Sequence, residues 1–114
     1  MNKSERRYYA ISIKHTIYGW KFGKACCLWG YHKTGDDEPR CWSGYTNYPD
    51  KAEVYSIEDW ENSSYGRTYF KIDAPIRMSH DLCQKYKKYD TVLIDVDEYR
   101  AYCIMSGLAM DIPY

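Results

Sequence analysis

The sequence predicts an α+β fold: a single domain over residues 1–114, with a mixed or mainly antiparallel sheet and two to three short helices on one side. Three observations carry this. Strand-like runs fill the first half of the chain, a helix–strand–helix pattern fills the last third, and 114 residues suffice for one core but not two.

Taken in order, Tyr8–Lys14 alternates with Tyr9, Ile11 and Ile13 on one face and reads as a first strand. Ala25 to Tyr31 is apolar and aromatic, a second strand. Gly35-Asp36-Asp37-Glu38-Pro39 is a polar turn, after which Arg40 to Thr46 returns antiparallel as a third. Ser56 is placed to cap a helix whose first turn holds Glu58 and Asp59, where the helix dipole favours negative charge. Asn62 to Gly66 ends it early. Thr68 to Ile72 is a further strand, closed by Asp73-Ala74-Pro75.

Ser79 caps a helix running to about Tyr89, with Leu82, Cys83, Tyr86 and Tyr89 inward and Lys85, Lys87 and Lys88 mostly outward. Thr91 to Ile94 suits a central strand. A last helix spans Val96 to Ser106, with Asp95 or Asp97 as cap and Gly107 as stop.

Charge excludes several functions. Sixteen basic and sixteen acidic residues leave no net field, which counts against direct nucleic-acid binding and against a DNA mimic. No basic-then-apolar leader opens the chain, and no apolar run reaches the ~20 residues of a membrane helix. A protein of the bacterial cytoplasm is expected, with no membrane partner. Its five cysteines (Cys26, Cys27, Cys41, Cys83, Cys103) then read as free thiols. Zinc on Cys26, Cys27, His32 and Cys41 is disfavoured, because neighbours on a strand point to opposite faces.

Catalysis has no positive signal. His15, His32 and His80 are far apart in sequence, and no nucleophile elbow, zinc-helix motif or phosphate loop is present. Asp95-Val96-Asp97-Glu98 has the carboxylates for a magnesium site, but capping the last helix needs the same residues and no ligand. Lys85 to Tyr89 interleaves basic and aromatic residues, as a phosphate-and-stacking surface would, yet fits an ordinary amphipathic helix better. No metal and no cofactor are expected.

The informative feature is aromatic. Fourteen tyrosines and four tryptophans stand against two phenylalanines, a composition of contact surfaces. Trp20, Trp29, Tyr31, Trp42, Tyr45, Tyr48 and Tyr55 cluster in sequence, separated by Gly19, Gly23, Gly30 and Gly44. A chain this short cannot readily bury all of its rings, so part of them should form an exposed patch. Trp20, Trp29, Trp42, Tyr45 and Tyr48 are the expected anchors, with Asp36, Asp37 and Glu38 facing basic groups on a partner.

Leu28-Trp29-Gly30 and Trp42, then Gly44-Tyr45-Thr46, Lys51-Ala52-Glu53, Tyr55-Ser56 and an acidic helix start, form a recognisable order over about Trp29 to Trp60. This run resembles a module of small uncharacterised bacteriophage and prophage proteins, in which many members carry Gly where this chain has Glu53. The resemblance transfers no functional residue. It implies a setting in which small proteins inhibit bacterial immunity, including anti-CRISPR proteins and sponges for nucleotide signals. The leading expectation is therefore a phage-derived inhibitor of a host defence protein, most plausibly a CRISPR effector. A second expectation is a nucleotide-binding sponge, often a homo-oligomer, using aromatic stacking with Arg40, Lys21, Lys24 or Arg67 on the phosphates. A third is a small metal-dependent nuclease or phosphodiesterase built on Asp95 and Asp97.

Overall fold

A computed structural model describes residues 6–19, 26–35, 37–63, 69–72, 85 and 87–107. Five strands form one mixed sheet: β1 (Tyr8–Ser12), β2 (Leu28–Trp29), β3 (Tyr45–Thr46), β4 (Tyr69–Ile72) and β5 (Thr91–Asp95), in the spatial order β3-β2-β1-β5-β4. Among the described residues, three helices of defined extent accompany them: α1 (Ile13–Gly19), α2 (Ile57–Glu61) and α3 (Val96–Ser106). All neighbouring strands are antiparallel except β4 and β5, which run parallel from Tyr69↔Thr91 to Ile72↔Ile94. The α+β class is as the sequence predicts.

β1 and β5 pair along their whole lengths, from Tyr8↔Asp95 to Ser12↔Thr91, and every residue of both is buried. Alternation therefore supplies two cores rather than one core and one wet face. Tyr9, Ile11, Val92 and Ile94 face one way with Leu28, and Tyr99, Tyr102 and Cys103 of α3 cover them. Tyr8, Ala10 and Leu93 face the other way with Trp29, covered by Tyr55 and by Trp60 of α2. The helices thus divide between the two faces instead of sharing one, because both faces of β1 and β5 are apolar.

The expected first strand is shorter than its alternation. The extended chain stops at Ser12, whose hydroxyl accepts the His15 N–H at 3.4 Å as an N-cap serine does, and Ile13 begins α1. Ile13 is still buried in the cluster of Tyr9 and Ile11, so the apolar spacing was sound and only its conformation differed. The second and third strands pair antiparallel as expected but shrink from Ala25–Tyr31 and Arg40–Thr46 to two residues each. Gly30 and Gly44 explain this. Both take positive φ (78° and 76°), which turns the chain out of the sheet, and the Gly30 N–H bonds the Gly44 carbonyl at 3.0 Å. Beyond Gly30, Tyr55 takes over beside β1, exchanging backbone bonds with Tyr8 at 2.8 and 3.0 Å.

The helix ends follow their caps. Ser56 and Asp59 form a reciprocal capping box at α2, with both bonds at 2.9 Å. Asn62 ends that helix. Asp95 caps α3 by accepting from the Asp97 and Glu98 N–H groups at 2.9 and 3.2 Å, and Gly107 closes it in the left-handed conformation. Arg7 donates to the other Asp95 oxygen at 2.5 Å. The expected helix from Ser79 to about Tyr89 lies almost wholly outside the described residues.

Partial burial pushes the Asp59 carboxyl up, but hydrogen bonds from Arg6 and from the Ser56 backbone and hydroxyl outweigh it and hold the carboxyl below its usual 3.8. A depressed folded value stabilises above the unfolded value, and that stabilisation is lost as pH falls through the folded one. Chemical denaturation of wild type and Asp59→Asn should show a stability gap that is constant above about pH 5 and closes towards pH 2.

Candidate functional site

The aromatic segment is built as a layer on the face of the sheet that α3 does not cover. Trp29 of β2 sits at its centre, edge-on to Tyr45 across the β2–β3 pair (5.1 Å between ring centroids) and to Trp60 of α2 (5.9 Å). Trp42 lies against Tyr55 and Trp60 at 4.8 and 5.3 Å, and Tyr55 meets Trp60 edge-on at 5.7 Å. Trp60 is 3% exposed and its indole N–H has no hydrogen-bond partner, so packing alone holds the ring.

Exposure rises across this layer. Tyr55, Trp60 and Trp29 are buried, Trp42 and Tyr45 are half-buried, and Tyr31 is 47% exposed. Tyr31 lies beyond the end of β2, after the turn at Gly30, and packs closely against Gly44, where a Cβ would come 2.8 Å from the Tyr31 Cδ1 and 2.9 Å from its Cβ. Its ring also meets His32 edge-on at 4.4 Å. On the other side of Tyr45 the exposed His15 ring stacks at 4.2 Å, and its Nδ1 is hydrogen-bonded to the Ser12 hydroxyl at 2.8 Å.

The loop between Gly30 and Trp42 is fastened from beneath. Glu53 is 1% exposed and accepts from the Thr34 hydroxyl (2.5 Å), the Thr34 N–H (3.2 Å), the Cys41 N–H (3.0 Å), its own neighbour Val54 N–H (3.0 Å) and Arg40 Nη1 (3.0 Å). Arg40 is itself 5% exposed and also donates to the carbonyls of Val54, Gly35 and Glu38. Gly30 makes room, since a Cβ there would lie 2.5 Å from that of Glu53. The Tyr55 hydroxyl donates to the Cys41 carbonyl from the same side.

Of the expected anchors, Trp42, Tyr45 and Tyr48 are half-buried, whereas Trp29 is core. Trp20 and Asp36 lie outside the described residues. Asp37 and Glu38 are exposed on the turn after Gly35. Tyr31, which the sequence grouped with these rings but not among the anchors, is also exposed, carried out of the sheet by the turn at Gly30.

The competing sites fare differently. Arg40 is committed to Glu53 and cannot serve a nucleotide phosphate, while Lys21, Lys24 and Arg67 fall outside the described residues. Asp95 is 4% exposed and occupied by its cap and by Arg7, so the metal-dependent nuclease reading loses its first ligand. Of the four conceivable zinc ligands only Cys41 and His32 meet, Sγ to Nδ1 at 3.6 Å, with the thiol also donating to the Ser43 carbonyl. Cys26 instead lies in the other core, its N–H donating to the Tyr99 hydroxyl. No cluster of metal-ligating side chains occurs among the described residues, and no described helix is long and apolar enough to cross a membrane.

The described cysteines are free, and burial pushes the thiols of Cys27 and Cys103 up to about 11. At pH 8 roughly one molecule in a thousand carries either thiolate, so iodoacetamide should leave both unmodified in the native protein and label both after unfolding, as peptide mass spectrometry would read. The chain matches no family model, no curated protein and no solved structure, so the site rests on its own geometry.

Proposed function

We propose that the protein is a phage-derived inhibitor that binds a component of bacterial defence, with a CRISPR effector as the partner class. The observation that supports this reading is the graded aromatic layer. Rings anchored in the core emerge at Trp42 and Tyr45, with Tyr31 exposed against Gly44, in a chain that also exposes the acidic turn at Asp37 and Glu38. Rigid rings held from behind lose little freedom on binding, which is what makes tyrosine and tryptophan effective contact residues. Exposed carboxylates beyond them would select a basic partner surface and speed encounter more than they tighten the complex. Inhibition by occupation requires no catalytic group, and the likeness to small phage proteins over Trp29 to Trp60 supplies the biological setting.

A panel of purified CRISPR effectors assayed for target cleavage tests this. One effector should lose activity as the protein approaches equimolar amounts. Trp42→Ala or Tyr31→Ala should weaken that inhibition by about thirtyfold, equivalent to ~2 kcal/mol, while Asp37→Ala with Glu38→Ala should mainly slow association and flatten its salt dependence. Full cleavage by every effector at excess protein, with no complex on size exclusion, would sink the proposal.

A further inference from the structure

We infer that Glu53 is an internal latch that holds residues 31–35 and 37–41 in their presenting shape independently of the sheet. The inference rests on the reading of that loop and its neighbouring rings as the binding surface. Between Tyr31 and Cys41 no described apolar side chain is buried: Lys33, Gly35, Asp37, Glu38 and Pro39 are exposed, His32 and Thr34 are intermediate, and the Arg40 side chain, which is buried, is charged. Hydrophobic burial therefore does not shape this stretch. Among its described residues, the backbone bonds are the Glu38 N–H to the Gly35 carbonyl at 3.0 Å as the internal turn and the Tyr31 N–H to the Ser43 carbonyl at 3.2 Å at its base.

Shape comes instead from one carboxylate. Both oxygens of Glu53 are spent on loop donors, Thr34 and Cys41 on Oε2 and Arg40 on Oε1. Arg40 then carries the hold outward to the carbonyls of Gly35 and Glu38, so the acidic turn hangs on the same network. A buried charge met by this many donors favours one arrangement strongly, since any other leaves a carboxylate or guanidinium dry and unpaired. Glu53 itself is fixed from the sheet side by its N–H to the Gly30 carbonyl at 3.1 Å and by the adjacent Ala52, which is core. The latch is thus rooted in the core while its grip is on the loop.

Amide hydrogen exchange on the whole chain, followed residue by residue, separates a local latch from a general core residue. In Glu53→Gln the amides of Thr34 and Cys41 should exchange at least about tenfold faster, and trypsin should cut after Lys33 or Arg40 correspondingly sooner. Amides of Ala10, Ile11, Val92 and Leu93 should keep their wild-type rates. Thr34→Val, which removes the hydroxyl donor and keeps the fold, should give the same localised pattern with a smaller, several-fold change, and it decides the matter if Glu53→Gln fails to fold. Unchanged Thr34 and Cys41 amides, or loop and sheet amides accelerating together, would overturn the inference. Neither result depends on a partner, so the latch can fail while the binding proposal stands, and the reverse.

Discussion

Two adjacent strands buried on both faces set the terms for the rest of the molecule. β1 and β5 leave no residue in water, so each face of their pair must be covered by apolar side chains from elsewhere in the chain. α3 covers one face with Tyr99, Tyr102 and Cys103. The other face is covered by a short helix and long connections, and these reach across the sheet only with large rings. Tyrosine and tryptophan abound here because few residues must cover a wide area.

That constraint explains why the same segment serves core and surface at once. Trp29, Tyr55 and Trp60 complete the layer against Tyr8, Ala10 and Leu93, and rings packed outward from them reach solvent at Trp42 and Tyr45. An aromatic supported by other aromatics is stiff, and a stiff exposed ring makes a better contact than a mobile one. The loops beside the layer cannot use burial to hold their form, and a buried carboxylate does so instead. Sheet, aromatic layer and Glu53 network form a sequence of supports, each resting on the one before.

Much of this was legible in the sequence where the governing interactions are local. Ser56, Asp95 and Gly107 announce helix ends because capping involves residues only two or three apart. Thr91–Ile94 announces a buried strand because its apolar run is uninterrupted. The rest depends on partners distant in sequence. Nothing near Ser12 shows that it would end a strand whose alternation continues to Lys14. Glu53 gives no sign of its role, because its donors lie at Thr34, Arg40 and Cys41 and are assembled only when Gly30 and Gly44 fold the intervening chain back. Trp29 resembles any exposed anchor until the second core defines it as buried. Composition could count the rings without sorting them.

The claim that one aromatic layer has a structural inner part and an exposed outer edge is tested most directly by the stability of two single variants in urea. Trp60→Ala should cost about 3–5 kcal/mol, because it empties a buried ring position of the second core. Tyr31→Ala should cost less than about 1 kcal/mol, because its ring is largely exposed against the Gly44 turn and His32. Equal losses, or a Trp60→Ala protein as stable as wild type, would contradict the division of the layer into support and surface.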